Sequence, residues 1–492
     1  MSARHWLSKS RYQTGLNCRK ALWLAVHEPD AAEPTSAGQQ ARFEAGNAVG
    51  ELARDRFPDG VLIEEGHTEQ RAALARTSEL IEQSVPILYE AAFVYDDVLV
   101  RADVMYRDSD AWNLVEVKSS TKSKPEHVTD AAIQTYVVEG AGLMVGKAFV
   151  GHLDTTYVYQ GGGYDLDALF ALDDVTDAVR AYLPSIPAKV ADLQGMLDGP
   201  CPADRIGKQC SSPYRCGFFG HCHAFMPAFP VTELPYLSEK GLTALLDDEL
   251  YGILDVPLDH PALSAKQREA SAVIQSGEML LLGDLAATLS KLAYPVHCLD
   301  FETFKPTLPL YPGTRAHQSV PFQWSDHVVF EDGDLEHREF LFEGDGDPRP
   351  HFLDSLLAAI DGEGSVVVYS NYENSQLEAL AKDFPHYREP IAAVQGRLFD
   401  LEKEVVKQHV RHPDFHAFTS IKYVGPALVA DLSYDSLGIQ NGDAAMLLYE
   451  AVAAGRVTPD ERQRILDDLR EYCGMDTTSL VKLLERFREL AE

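Results

Sequence analysis

The pattern of apolar and polar residues divides the first half of the chain into helices and short strands. Apolar side chains recur at helical spacing over residues 40–57 and over about 69–83, and Pro86 ends the second helix. Three runs rich in β-branched and aromatic residues follow, and the turn-like connectors between them predict an antiparallel meander over residues 87–95, 98–106 and 111–120. Beyond the meander, the pattern predicts a helix over about 128–141, a strand over 147–159 and a helix over about 173–196.

The second half of the chain alternates strands with helices, which is typical of an α/β fold. Expected strands cover residues 294–303, 320–332, 335–344 and 365–370. Expected helices cover residues 350–361, 374–384 and 461–490. The stretch that precedes them, 226–289, places several prolines between short helical segments. We therefore expect two domains, over residues 1–225 and 290–492, joined by a helical connector over 226–289.

The net charge of −33 argues against a protein that coats nucleic acid non-specifically, but it does not exclude a nuclease with acidic metal sites. No apolar run is long enough to span a membrane, and no secretory signal is evident, so we expect a cytoplasmic protein. The terminus is locally basic, which we interpret as a solvated surface; its charged residues are Arg4, Lys9, Arg11, Arg19 and Lys20.

Two carboxylates and a lysine fall on neighbouring strands of the predicted meander. Asp103 lies in VLVRADVMY, and Glu116 and Lys118 lie in NLVEVKSS. Residues two apart on a strand face the same side, so Glu116 and Lys118 project together and a neighbouring strand can bring Asp103 beside them. Two carboxylates suit Mg²⁺ or Mn²⁺, and the lysine can stabilise charge on a phosphate. The alternative is a surface strand of alternating charge.

The order of these elements resembles the PD-(D/E)xK nuclease fold, and in particular its RecB-like branch. The resemblance implies that Asp103, Glu116 and Lys118 are catalytic and that Gln134, on the following helix, lies beside them. Tyr136 follows at a tighter spacing than the usual Gln/Tyr motif of that branch. Glu51 occupies the place where the branch often has a metal-binding histidine.

Three cysteines with five residues between neighbours follow this module: Cys210, Cys216 and Cys222. Some RecB-like nucleases carry an iron–sulfur cluster bound by one cysteine before the nuclease core and three after it. That resemblance implies that Cys18 completes a [4Fe–4S] ligand set. A structural zinc site is the alternative, although zinc modules usually take cysteines two to four residues apart. The other cysteines are Cys201, a substitute ligand, and Cys298 and Cys473, which we expect to be ordinary buried thiols.

A second set of acidic residues spans the last two hundred residues. Asp300 and Glu302 end an apolar strand and share one face, and Tyr472 and Asp476 lie one helical turn apart. Glu373 falls between them at a strand-to-helix junction. These carboxylates are expected to bind two divalent ions, with Tyr472 holding the attacking water. A further candidate metal ligand, which either replaces Glu373 or supports it, is Asp400.

This arrangement resembles the DEDD family of 3′–5′ exonucleases, also called DnaQ-like, whose fold is RNase H-like. The DxE pair and the YxxxD motif match the family's tyrosine subtype. Glu373 departs from the family's pattern, because aspartate is usual at that position. The segment HVRHPDFHAFTSIKYVG adds positive charge and aromatic rings that suit contact with a single strand, and a loop with incidental histidines is the alternative; its polar members are His409, Arg411, His412, His416 and Lys422.

Taken together, the chain resembles a prokaryotic family that fuses a RecB-like, cysteine-bearing nuclease to a DEDD-like domain. The recognisable stretches are LSKSRYQTGLNCRKALWL, EVKSSTKSK and CLDFETFKPTLPLYPGTRAHQSVPFQWSDH. The resemblance implies a metal-dependent nuclease for DNA that is single-stranded or has free ends, in repair, end processing or defence. The alternatives are a nucleic-acid-binding scaffold with one or both sites inactive, and an RNA-processing nuclease.

Overall fold

The computed structural model describes residues 6–66, 68–360, 362–430, 432 and 437–492. The chain divides into two compact units. The first comprises Met1–Ala224 together with Thr307–His317, and the second comprises Phe225–Pro306 and Gln318–Glu492. Arg4 and the last residue of the helix expected over 350–361 lie outside the described part of the chain.

The first unit is built on a seven-stranded mixed sheet with the strand order β2-β3-β4-β5-β6-β7, and a short parallel strand, β1, also pairs with β4. The central strands β3, β4 and β5 form the antiparallel meander, and β6 runs parallel to β5. The strands are β1 (Leu7–Ser8), β2 (Val61–Leu62), β3 (Ile87–Tyr95), β4 (Val98–Asp108), β5 (Ala111–Val117), β6 (Val145–Leu153) and β7 (Phe170–Asp174).

Nine helices surround this sheet in the described part of the first unit. The apolar face of α5 is almost entirely buried, and it packs with strand residues in one large core. The helices are α1 (Lys9–Asn17), α2 (Arg19–His27), α3 (Ala37–Asp55), α4 (Gln70–Glu82), α5 (Pro125–Gly140), α6 (Leu166–Leu169), α7 (Thr176–Tyr182), α8 (Ile186–Leu197) and α9 (Phe219–His223).

The second unit contains a five-stranded sheet with the order β11-β10-β9-β12-β13. The pairs β11–β10 and β10–β9 are antiparallel, whereas β9–β12 and β12–β13 are parallel. A separate two-stranded ribbon pairs β14 with β8. The strands are β8 (Leu280–Leu281), β9 (Val296–Phe304), β10 (Val320–Val329), β11 (Leu335–Leu341), β12 (Ser365–Val368), β13 (Leu398–Asp400) and β14 (Val410–Arg411).

Helices cover both faces of this second sheet. Strand β9 turns Cys298 toward a core that includes Leu480 and Leu484 of the last helix, and Leu299 and Phe301 toward a second core on the other face. The helices are α10 (Glu239–Asp247), α11 (Ala265–Ser276), α12 (Leu285–Leu289), α13 (Pro348–Ala359), α14 (Tyr372–Asp383), α15 (Arg388–Gln395), α16 (Lys407–His409), α17 (Ile421–Leu428), α18 (Gly442–Ala453) and α19 (Pro459–Ala491); a π-helical turn, Glu402–Val406, precedes α16.

The chain is therefore an α/β protein with two mixed sheets. The helix expected over residues 173–196 is interrupted: β7 occupies its start, and α7 and α8 are separate because Pro184 and Pro187 fall near the junction. Residues 226–289 group with the second unit. In the described ranges, no helix has both the length and the apolar character needed to cross a bilayer.

The segment Thr307–His317 leaves the second sheet between β9 and β10 and belongs to the first unit. Within that unit, Ala316 packs in the small core around Val49 and Leu153. The imidazole of His317 bonds the backbone carbonyl of Ser119 at 2.6 Å. The first unit is thus completed by a piece of chain that follows its last helix by more than eighty residues.

Candidate active sites

The first acidic site lies where β4 and β5 separate. The ladder between these strands ends at the pair Val104–Val115, so the backbone N–H of Val117 is left without a cross-strand partner on β4. The Asp103 carboxylate accepts a hydrogen bond from that N–H, at 2.7 Å. Asp103 is thereby held next to Glu116, whose side chain is only 1% exposed.

Two lysines flank Glu116. Lys118 Nζ lies 2.7 Å from Glu116 Oε1 and also 2.7 Å from Asp130 Oδ2. Lys9 Nζ lies 2.7 and 2.9 Å from the two carboxylate oxygens of Glu116 and 3.9 Å from Asp103 Oδ1. The structure therefore brings together all three residues of the predicted D…ExK set, and it adds Lys9 and Asp130.

Gln134, the fourth residue predicted for this site, is buried on α5. Its amide nitrogen donates to Glu116 and to the carbonyl of Arg101. Its amide oxygen is buried without a hydrogen-bond partner. Tyr136, by contrast, donates to Asp96 at 3.0 Å, and Glu51 is exposed on α3. The structure places Gln134 in the site, but Tyr136 makes its contact elsewhere.

Burial and neighbouring charges shift the pKa values of the two acids in opposite directions. Burial raises the pKa of Asp103 to about 7, and the nearby Glu116 carboxylate adds to this rise. Burial alone would also raise the pKa of Glu116, but Lys9 and Lys118 outweigh it and lower that pKa to about 2. Two neighbouring carboxylates, of which Glu116 is buried and Asp103 half-buried, and an amide oxygen that lacks a donor are oxygen ligands that a hard divalent cation prefers, so these residues fit such an ion.

The four predicted cysteine ligands all belong to the first unit, and each is a half-buried free thiol. Cys18 separates α1 from α2, and it packs with Cys216 and Cys222 against Ala21, Leu24 and Phe218. Burial raises the pKa of Cys18 to about 11, and Cys216 and Cys210 contribute to that shift. The substitute ligand, Cys201, is exposed.

The sulfur positions do not form a preformed zinc cage. Four thiolates at about 2.3 Å from one zinc ion would lie about 3.8 Å from one another. Among the described cysteines, no three Sγ atoms lie within 4.8 Å of one another. Cys298 and Cys473 are fully buried, as expected for ordinary thiols.

The second acidic site forms where α19 crosses β9. Asp300 and Glu302 share the face of β9 that α19 covers, and Asp476 comes from α19. One carboxylate oxygen of each residue lies within 4.8 Å of the other two. The structure thus brings together three of the predicted ligands, two from strand β9 and one from the last helix, α19.

Glu373 and Asp400 lie close to this group but outside it. Glu373, in the first turn of α14, is 4% exposed, and its Oε2 has no hydrogen-bond partner. Asp400 ends β13 and accepts from the backbone N–H of Lys403 at 2.8 Å. Burial raises the pKa of Glu373 to about 8, and Asp400 and Asp476 add to that rise.

A cavity of about 310 Å³ opens over the second site. Tyr472 and Lys422 line it beside the three clustered carboxylates, and α18 closes one side. Burial, together with Asp476 and Glu373, raises the pKa values of Asp300 and Glu302 well above their usual range. A site that concentrates buried negative charge in this way fits a divalent cation, which would offset the repulsion.

Four rings in contact with one another form an aromatic strip, which we define as Phe229, His416, Phe418 and Tyr423. Tyr423 lies on α17 next to Lys422, which lines the cavity. Phe418 and Tyr423 stack at 4.8 Å between centroids, and they are 39% and 38% exposed. His416 stacks on Phe229 and bonds Glu233 at 2.8 Å. Other members of the same segment are structural, because His409 is buried against Thr288 and Arg411 pairs with Glu269.

Three site residues have no local signal in the sequence. Lys9 and Asp130 reach Glu116 and Lys118 only through tertiary folding. The interpretation of the basic terminus as a solvated surface does not hold for Lys9, whose side chain is 21% exposed and pairs with Glu116. Helix α18, which brings Met446 to the cavity, has an amphipathic pattern over GDAAMLLYEAVA that predicts a helix. The pattern carries no information about which site that helix would border.

Comparison with known proteins adds one match. A family model described as a domain of unknown function (DUF2779) matches residues 297–420, about a quarter of the chain. The matched region contains Asp300, Glu302, Glu373 and Asp400, and it ends before Tyr472 and Asp476. No curated protein matches the chain.

Proposed function

We propose that the chain is a metal-dependent nuclease with an active site in each unit. The observation that carries the proposal is the convergence of Asp300, Glu302 and Asp476 within 4.8 Å, at a cavity that Tyr472 also lines. The first unit supports it with a second acidic pair, the half-buried Asp103 and the buried Glu116, flanked by Lys118.

We also propose a specific fold for each unit. The order of the second sheet, in which three antiparallel strands are followed by two parallel ones, is consistent with an RNase H-like DEDD exonuclease domain. A meander that carries Asp103 and Glu116, followed by a helix that carries Gln134, is consistent with a RecB-like PD-(D/E)xK domain.

In the second unit, Asp300, Glu302 and Asp476 would hold the divalent ion, and Glu373 would support it. When bound, Mg²⁺ or Mn²⁺ supplies charge neutralisation and lowers the pKa of water at neutral pH. The Tyr472 hydroxyl orients the attacking water. Lys422, at the cavity wall, attracts the phosphate.

In the first unit, Asp103 and Glu116 would hold the ion. Lys118 is kept charged because Glu116 and Asp130 raise its pKa despite burial. Its ammonium therefore stabilises negative charge on the phosphate as the bond breaks. Gln134 fixes the orientation of the Glu116 carboxylate through its amide N–H.

DNA with a single-stranded portion or a free end is the proposed substrate. The aromatic strip supports this choice, because the partly exposed rings of Phe418 and Tyr423 offer stacking surfaces to unpaired bases of any sequence, and Tyr423 lies on the helix whose Lys422 lines the cavity. We further propose that Cys18, Cys210, Cys216 and Cys222 bind a [4Fe–4S] cluster, and that the protein works in the cytoplasm, where free thiols persist.

The test is a nuclease assay on Asp103→Asn, Asp300→Asn and the double variant, with matched DNA and RNA oligonucleotides and Mn²⁺. Two working sites predict that each single variant keeps part of the activity and that the double variant keeps none. An inactive wild-type protein that still binds DNA would favour the scaffold function. If RNA is cleaved faster than the matched DNA, the substrate is RNA and the RNA-processing alternative is favoured.

A further inference from the structure

Lys9 occupies the space between the two acids of the first site. Its ammonium contacts both oxygens of Glu116, at 2.7 and 2.9 Å, and lies 3.9 Å from Asp103 Oδ1. Asp103 and Glu116 are the residues proposed to hold a divalent ion. Lys9 therefore places a positive charge where that ion would bind.

Lys9 lies at a helix position that is unfavourable for a positive charge, and the local fold keeps it there. Lys9 is the first residue of α1, behind the N-cap Ser8, and the first turn of the helix contains no acidic residue. A positive charge at a helix N-terminus is unfavourable because the helix dipole is positive there. Ser8 pairs with Leu99 of β4, which fixes the start of the helix beside the sheet.

Lys118 differs from Lys9 in its partners. Lys118 bonds Asp130 as well as Glu116, so it keeps a carboxylate partner if Glu116 turns to a metal ion. The contacts of Lys9 go to the two proposed ligands themselves. Lys9 is the cation that a metal would have to displace, whereas Lys118 can stay in place.

We infer that Lys9 is an exchangeable counter-ion: its ammonium neutralises the empty site and competes with the divalent cation for Glu116 and Asp103. The inference rests on the proposed function of the first unit. A site occupied in this way binds metal more weakly than its carboxylates alone would. Once displaced, the ammonium remains tethered at the site, where an anionic phosphate offers it a new partner.

Metal affinity tests the inference directly. Mn²⁺ is titrated calorimetrically into the full chain carrying Asp300→Asn, which removes a ligand of the second site, and Glu116→Gln identifies the binding that belongs to the first site. An opposite charge a few ångströms away changes the proton affinity of a carboxylate by about ten- to a thousandfold. Lys9→Met is therefore expected to tighten Mn²⁺ binding by about tenfold or more.

Two controls define the outcome. Lys9→Arg keeps the charge and should bind Mn²⁺ like the parent protein, and Lys122→Met removes an exposed lysine nearby and should change nothing. Unchanged or weaker binding in Lys9→Met overturns the inference and leaves the metal site intact. Mn²⁺ binding that does not depend on Glu116 removes the proposed site itself, and the inference with it.

A measurement on the wild-type protein avoids reliance on any variant's folding. Lysine amines are acetylated briefly with and without saturating Mn²⁺, and the modification of each lysine is read by mass spectrometry. Displacement by the metal predicts that acetylation of Lys9 rises on Mn²⁺ addition while that of Lys122 stays constant. Equal acetylation of Lys9 in both conditions contradicts the inference.

Discussion

Asp300, near the start of the second sheet, and Asp476, on the last helix, place carboxylate oxygens within 4.8 Å of each other. Burial raises the pKa values of Asp300 and Glu302, and the charge of Asp476 adds to both shifts, because burial and like charge both disfavour ionisation there. Without a cation, this proximity destabilises the folded state at alkaline pH. Because of this destabilisation, the proposed metal site can be detected by measurements of stability as well as of activity.

Replacing Asp476 by asparagine is expected to stabilise the metal-free protein by about 1 kcal/mol at pH 8, because one of the repelling charges is removed. The same variant should lose most of the stabilisation that Mn²⁺ gives to the second unit. Thermal unfolding with EDTA or Mn²⁺ measures both effects. Glu471→Gln, exposed on the same helix, is the matched control. A destabilised Asp476→Asn variant would argue against charge repulsion in this site.

Stability without metal should rise as the pH falls from 8 to 6. Burial raises the pKa of Asp103 to about 7 and that of Glu373 to about 8, so the folded state binds protons that the unfolded state releases in this window. Each group contributes about 1–2 kcal/mol, present at low pH and lost as the pH rises through its folded-state pKa.

Urea unfolding in EDTA at pH 6, 7 and 8 measures this dependence. Glu373→Gln, whose side chain has no proton to gain, should flatten the profile of the second unit. Mn²⁺ should flatten it as well, because the bound cation removes the advantage of protonation. A midpoint that increases with pH in EDTA would contradict the expected sign.

Truncation of the aromatic strip is expected to weaken binding of single-stranded DNA. Stacking of a base on an aromatic side chain is worth about 1–3 kcal/mol, so Tyr423→Ala should raise the dissociation constant about fivefold or more. Fluorescence anisotropy in EDTA separates binding from cleavage. Tyr236→Ala is the control, since Tyr236 is 88% exposed in the same unit and does not belong to the strip. Equal losses in both variants would point to a general surface effect.

Removal of Cys18 should abolish the visible absorbance that a [4Fe–4S] cluster gives to anaerobically purified protein. Cys18 joins α1 to α2, so its loss should also lower the melting temperature of the first unit. Cys201→Ser, at an exposed thiol, should leave both properties unchanged. If the wild-type protein is colourless and contains one equivalent of zinc, these cysteines bind a structural zinc ion and not a cluster.

The sequence pattern predicted the elements that hold the acidic residues to within a few positions, because these strands are long and strongly apolar. The predicted strand over 98–106, which carries Asp103, lies within β4, for example, and the predicted terminal helix lies within α19. Strand β13 has three residues, too few to show a period. Lys9 and Asp130 were outside the predicted site because contacts between distant segments leave no trace in local spacing.

The placement of Thr307–His317 in the first unit has a consequence for biosynthesis. Residue 224 leaves the ribosome well before residue 317. The core that contains Val49 and Leu153 lacks Ala316 until that later segment has been synthesised. The small core around Val49 and Leu153 is therefore incomplete while the first 224 residues leave the exit tunnel, although domains usually fold in order of synthesis. Until the strand pair β9–β10 has been translated, that apolar surface is exposed to chaperones and proteases.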